Sequence, residues 1–268
     1  MFLDAHGRTN IGKSRSTNED HFVIATIRKS VSVELTNLAS ADLLGRLGER
    51  RAQLFVVADG VGGVAGGELA SGMAVETIVT YLGQVTDCFH RADVAGENDL
   101  IEQMEHAVAR AHELIQDTYG SRGRSPATTL TMIVLAWPRA YFVHAGDSRA
   151  YFLRKGRLRQ LTRDQTTGDF AVDLGLVTEE HARKAGLYNR LSSAVGADLS
   201  ASVGLIDLEE RDILLLCTDG LTKHVADDRI AQVLGAAASA AEATATLVQL
   251  ALDGGGSDNV TAIVARAV

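Results

Sequence analysis

Between residues 129 and 162 the strand-like runs TLTMIVLAW, AYFVHA, RAYFLRKG and RLRQLT follow one another across very short turns. Such turns cannot carry the crossover that a parallel pair requires, so this part of the sheet must be antiparallel. Further runs read as strands at 21–27 (HFVIATI), 53–58 (QLFVVA), 202–208 (SVGLIDL), 212–217 (DILLLC) and 259–268 (NVTAIVARAV).

Helical patterns lie between these clusters. In residues 99–119 the apolar positions Ile101, Met104, Val108, Ala111 and Ile115 recur at steps of three and four, with Asn98 read as the cap and Gly120 as the stop. A similar stripe passes through Ala70, Met73, Ile78 and Leu82, and SAAE at 239–242 reads as a capping box opening a helix to Leu252. Strand clusters separated by helices predict an α+β fold with helices covering the sheets. Residues 163–200 are polar, with a short helix from Thr178 to Gly186, and read as a surface flap. Neither a linker nor a repeat is visible in the 268 residues.

The net charge of −8 and the lack of a basic stripe argue against a nucleic-acid partner. The N-terminus MFLDAHGRTN turns polar at once, and no apolar run approaches the roughly 20 residues of a membrane span. A soluble, cytoplasmic protein is expected. Cys88 and Cys217 stand alone, which suits a reducing compartment, and Cys217 within ILLLC reads as a buried small hydrophobe.

Four aspartates occupy turns next to strand ends: Asp59 in LFVVADG, Asp147 in YFVHAGDS, Asp219 in ILLLCTDG, and Asp258 in GGGSDN just before VTAIVA. Neighbouring strands lie about 4.8 Å apart, so such turns can converge, and carboxylates that converge need cations. Three other motifs compete for attention. GRTNIGKS at 7–14 satisfies the phosphate-loop pattern of an NTPase, yet no buried strand is evident before it and KSRSTNED has no apolar face to make a helix. GVGGVAGG at 60–67 resembles a dinucleotide-binding turn but lacks the ribose-binding acid about 20 residues on. GDSR at 146–149 offers a serine without an evident base, and HELIQ lacks the second histidine of a zinc helix.

Oxygen donors favour Mg²⁺ or Mn²⁺. Two such ions about 3.5 to 4 Å apart can hold a hydroxide and stabilise an in-line displacement at phosphorus. An arginine fork is the natural companion for phosphate oxygens, and Arg15, just before Asn18, Glu19 and Asp20, is the candidate.

Taken in order, GKSRSTNED, VVADGVGG, ATTL, HAGDSRAY, LTRDQT, CTDGL and SDNVTAIV resemble the motif series of the metal-dependent type 2C protein phosphatases, the PPM family, in its compact bacterial form. The resemblance implies a four-layer αββα sandwich of two mainly antiparallel sheets, formed by residues 1–268 as a single catalytic domain. It implies hydrolysis of phosphoserine and phosphothreonine in proteins by a metal-bridging hydroxide at a binuclear Mn²⁺/Mg²⁺ centre. By position, Asp59 would bridge both ions, Gly60 would offer its carbonyl to one, and Asp219 and Asp258 would bind the other. Asp147 with Asp219 would complete a weaker third site. Glu19 and Asp20 would order metal-bound waters with Asn259 beside them, and Arg15 would hold the phosphate. The flap would select among phosphorylated protein substrates, a Ser/Thr kinase would be the natural partner, and a monomer is expected. Two departures stand out: Val61 where many eukaryotic members carry a histidine acid, and Ala127 where glycine is usual before the Thr-Thr pair. The stretch 30–52 is longer than the compact form needs and receives no function. The alternatives are a catalytically silent metal-binding regulatory module and a phosphate-loop NTPase through residues 7–14.

Overall fold

The computed structural model describes residues 3–28, 51–62, 66–85, 94–119 and 126–268, so Cys88, Gly120 and nearly all of the 30–52 stretch lie outside the described residues. Two sheets lie at the centre, and every described strand pairing is antiparallel. One sheet runs, edge to edge, β1 (Leu3–Asn10), β11 (Val260–Ala267), β10 (Ile213–Cys217), β7 (Arg149–Arg154) and β8 (Arg157–Gln160). The other runs β2 (Asp20–Arg28), β3 (Arg51–Val61), β5 (Leu130–Ala136), β6 (Arg139–Ala145) and β9 (Ser202–Asp207), with the two-residue β4 (Ala127–Thr128) pairing the end of β3. The described α-helices are α1 (Gly66–Gln84), α2 (Val94–Tyr119), α3 (Thr167–Asp173), α4 (Glu179–Lys184), α5 (Asp219–Thr222), α6 (Asp227–Ala236) and α7 (Ala240–Asp253).

The period of two along each strand builds the layers. On β3, Phe55 and Val57 enter the core between the sheets with Ile133, Leu214, Leu216 and Ile263. Leu54, Val56 and Ala58 point the other way, into a core shared with Ala74, Ile78 and Met104 of α1 and α2. On the second sheet Leu215, Cys217, Ala262 and Val264 pack against Ile230, Val233, Leu247 and Val248 of α6 and α7. The α+β sandwich is therefore helix, sheet, sheet, helix. Strands buried on both faces read as unbroken apolar runs, which is why they were visible in the sequence. Cys217 is fully buried, as expected.

Some elements differ from the sequence expectation. Helix α2 begins at Val94, which places Asn98 inside the helix rather than at its cap. Strand β1 carries few apolar residues and was not anticipated; it is an edge strand fixed by eight paired positions with β11. Helix α6 was also missed, although Ile230, Val233 and Leu234 have helical spacing and are buried. Ser239 caps helix α7 as expected, its Oγ accepting from the Glu242 N–H at 3.1 Å, while the Glu242 carboxylate reaches one residue beyond the cap and accepts from the Ala238 N–H at 2.8 Å. Among the described residues no helix is long and apolar enough to cross a membrane.

Antiparallel pairing brings the chemistry to one end. Strands β3 and β10 finish there, β2 and β11 begin there, and Asp20 lies directly opposite Asp59. Phe55, 0% exposed between the sheets, tests the sandwich core. Phe55→Ala should lower unfolding free energy by about 3 to 5 kcal/mol in urea titrations, against less than about 1 kcal/mol for Leu205→Ala on the edge strand. Equal losses would contradict the layer assignment.

Candidate metal centre

The cleft at this end of the sandwich has a volume of about 900 Å³ and is lined by Arg15, Glu19, Asp59, Gly60, Val61, Asp147, Asp219, Lys223 and Asp258, with flap residues 189–198 forming much of its wall. The site residues named from sequence are thus brought together, with Asp20 and Asn259 buried just behind the cleft.

Asp59 is held through its backbone. Its N–H donates to Thr129 Oγ1 at 3.0 Å, and its carbonyl accepts from Thr128 Oγ1 and the Thr129 N–H, both at 2.9 Å. The Thr-Thr pair of the ATTL motif is therefore a clasp for this residue. Gly60 follows because helix α1 starts against it: a Cβ on Gly60 would lie 2.2 Å from the Gly67 carbonyl oxygen. This contact, rather than a dinucleotide, explains Gly60 and Gly67. Gly220 meets a similar demand, since its Cβ would lie 1.9 Å from the Asn259 carbonyl oxygen, and the Asp219 turn is thereby pressed onto the start of β11.

Asp20 joins the two sheets. Its Oδ2 accepts from Thr261 Oγ1 at 2.6 Å and Thr218 Oγ1 at 2.9 Å, while its Oδ1 has no hydrogen-bond partner. Asn259 organises the segment carrying Arg15: its Nδ2 donates to the Ile11 and Thr17 carbonyls, both at 2.9 Å, and its Oδ1 accepts from the Glu19 N–H. Residues 7–10 lie within β1 and no helix follows Lys13, so the phosphate-loop reading of GRTNIGKS fails on geometry. Ser148 is likewise no nucleophile: it is buried and bonded to Thr129 Oγ1.

Two cations meet the carboxylates. Arg15 contacts Asp258 through Nε at 2.7 Å and a terminal nitrogen at 3.0 Å. Lys223, which the sequence reading missed, places Nζ 2.6 Å from Asp219 Oδ2 and 2.8 Å from Asp258 Oδ2. Its spacing of four from Asp219 was a usable signal, but only once α5 is known to be helical.

Burial, then the charges of Asp20, Asp219, Asp147 and Asp258, pushes Asp59 well above the usual carboxylate range. Asp147 is raised to about 7 by burial and then by Asp219 and Asp164. Burial also raises Asp219, against the opposing pull of Lys223. Burial works in the same direction on Asp258, but hydrogen bonds from Arg15 and Lys223 outweigh it and hold that carboxyl low.

These residues fit hard divalent cations. The donors are oxygens, negative charge is in excess, and Asp219 Oδ1 is buried without a partner. Among the described residues no three His, Cys, Asp or Glu side chains already form a closed cage; Asp258 is drawn instead to Arg15 and Lys223.

The base of the flap is tied to the turn bearing Asp147. Arg149 forms a bidentate pair with Asp164, at 2.8 Å and 2.7 Å, and the Gln165 N–H donates to the Gly146 carbonyl at 2.7 Å. His144, fully buried, bonds to Thr131 Oγ1 and to the Arg163 carbonyl, and burial lowers it to about 4. On the far side His112 Nδ1 accepts from the Gly196 N–H, so this helix histidine is structural.

Asp20 supplies a pH signature. Burial, opposed by the two threonine bonds and reinforced by Asp219 and Asp258, raises it to about 7. Its folded pKa lies above the unfolded value, so its stabilising proton is fully effective below about pH 4 and is lost as pH rises through about 7. In chelator, Asp20→Asn should therefore gain melting temperature relative to the parent as pH climbs from about 4 to about 8. A difference that stays flat with pH would refute the assignment.

Known proteins share the sequence pattern and the fold. A family model described as Protein phosphatase 2C matches residues 36–259. The serine/threonine protein phosphatase PstP of Mycobacterium tuberculosis is 36% identical over 219 residues, covering 81% of this chain; the chain spans only 41% of that protein's length. The solved serine/threonine phosphatase of S. agalactiae has a TM-score of 0.80 at 26% identity and covers 100% of both chains. A structure of the PstP catalytic domain in complex with two manganese ions gives a TM-score of 0.74 at 31% identity over 99% of this chain and 98% of that one. With a matching family model over most of its length and the same sandwich in its relatives, the chain belongs to the protein phosphatase 2C family.

Proposed function

We propose that residues 1–268 form one catalytic domain that hydrolyses phosphoserine and phosphothreonine in proteins. The observation that carries this reading is the cluster of Asp59, Asp219 and Asp258 at the floor of a cleft whose mouth holds Arg15. The manganese ions of the PstP catalytic domain support the choice of cation. Asp59, the Gly60 carbonyl, Asp219 and Asp258 would hold two Mn²⁺ or Mg²⁺ ions, with Asp147 and Asp219 offering a weaker third position. Such ions supply an activated water and the positive charge that in-line displacement at phosphorus requires.

The chain's own side chains do the rest. Arg15, half-exposed at the cleft, presents a planar fork that can orient phosphate oxygens, and its present bond to Asp258 keeps it aimed there. Glu19 and Asp20 stand where they can order waters around the carboxylates. Val61, exposed at the mouth, has no proton to give, so protonation of the departing serine or threonine oxygen falls to water in the cleft. The flap forms the wall against which the flanking residues of a phosphorylated protein would lie, and a Ser/Thr kinase would supply that substrate. A monomer acting in the cytoplasm completes the reading.

Hydrolysis of p-nitrophenyl phosphate and of a phosphothreonine peptide should require added Mn²⁺ or Mg²⁺ and fall to background in Asp59→Ala. Turnover undiminished by chelator would overturn the reading. Arg15→Ala should raise KM by about tenfold or more, as expected for loss of a charge-assisted fork; unchanged KM and kcat would remove its assigned role.

A further inference from the structure

The Asp59 side and the Asp219–Asp258 side of the cluster are not equivalent. Among the described residues no ion pair joins Asp59 or Asp147, whereas Asp219 and Asp258 already share the Lys223 ammonium. Lys223 is positioned by the fold rather than by chance contact. Its own N–H closes the short helix α5 onto the Asp219 carbonyl at 2.8 Å, and Gly220 presses that helix against Asn259. Asp258 is gripped twice, by Lys223 and by the Arg15 fork. A divalent ion demands oxygens at roughly 2.0 to 2.2 Å, and an ammonium bonded to both Asp219 Oδ2 and Asp258 Oδ2 competes for the same lone pairs. Asp219 Oδ1, buried and unpartnered, remains free.

We propose that Lys223 is a resident countercation that stands in for the ion shared by Asp219 and Asp258, so that the centre loads in two unequal steps. The first ion enters on the Asp59 side without displacing any bonded cation. The second must detach Lys223 from the carboxylates. With 42% of its side chain exposed, Lys223 has room to swing towards solvent when it is displaced. Lys223 thus keeps the acidic cluster folded at low metal and sets the affinity of the second step. The inference rests on the metal-holding role given above to Asp59, Asp219 and Asp258.

The test is Mn²⁺ titration of chelator-stripped protein by calorimetry, with thermal melting followed in parallel, for the wild type, Lys223→Gln, Lys223→Met and Lys223→Arg. The wild type should bind in a tighter and a weaker step. In Lys223→Gln and Lys223→Met the weaker step should tighten by about tenfold, the scale of a modest ion pair on each carboxylate. The same two variants should melt lower than wild type in chelator yet gain more melting temperature on adding Mn²⁺. A side chain that merely packs would not move these two readouts in opposite directions. Lys223→Arg, which keeps the charge, should keep the wild-type pattern. Should one neutral variant fail to fold, the other gives the same comparison. Two equal steps in the wild type, or a weaker step unchanged or loosened in the neutral variants, would overturn this inference and leave the phosphatase reading standing. No Mn²⁺ uptake by wild-type protein would overturn the metal assignment itself, and this inference with it.

Discussion

Packing several carboxylates at one end of a closed sandwich is the constraint on which the rest of the structure depends. Asp59, Asp147, Asp219 and Asp258 repel one another, and burial strengthens that repulsion. The chain answers by two means. Arg15 and Lys223 neutralise the outer members, while Thr218 and Thr261 hold Asp20 by hydrogen bonds that carry no charge. The antiparallel register then leaves little freedom: Asp20 faces Asp59, and moving β2 by one residue would turn its side chain away from Thr218 and Thr261. Close backbone contacts at Gly60 and Gly220 bring the turns in from both sheets. This arrangement concentrates local cost where function needs it.

The centre also straddles the two sheets. Asp59 belongs to the six-stranded sheet and Asp147 to the turn that crosses from β6 of that sheet to β7 of the other, while Asp219, Asp258 and Lys223 come from the β10–β11 side of the five-stranded sheet. Relative sliding of the sheets would separate the carboxylates, so the apolar layer around Phe55, Leu216 and Ile263 does more than stabilise; it fixes the spacing of the acidic turns. The flap is linked to the same geometry through Arg149–Asp164 and Gln165–Gly146, on either side of Asp147. Any displacement of the flap base by a docked protein would be felt first at Asp147.

Much of this was legible in the sequence because strands buried on both faces must be apolar throughout, and because aspartates at strand-end turns are conspicuous. The seven motifs in order made the family resemblance specific, and the comparisons agree with it. What stayed hidden depended on tertiary partners. Strand β1 has no apolar signature since an edge strand needs only a neighbour to pair with. The four residues of α5 are too few to show periodicity, so nothing in the sequence singles out Lys223. The start of α2 was placed at Asn98 because a good capping residue attracts an assignment even where the helix continues through it.

The segment 7–18 shows how a local pattern can name a useful region for the wrong reason. GRTNIGKS matches a phosphate loop, and an arginine proposed to bind phosphate does follow it, yet no helix dipole or ring of loop amides is involved. The first half of the pattern is an edge strand. The remainder takes its shape from the far end of the chain: the Lys13 N–H donates to the Gly256 carbonyl, and Asn259 binds the Ile11 and Thr17 carbonyls. Arg15 is therefore aimed by the turn that also carries Asp258, its ion-pair partner, some 240 residues away in sequence. Since one turn presents both the carboxylate and the clasp for the arginine segment, an anion orienting on Arg15 and a cation held by Asp258 would meet at a single short stretch of backbone, and a change at Asn259 would disturb both.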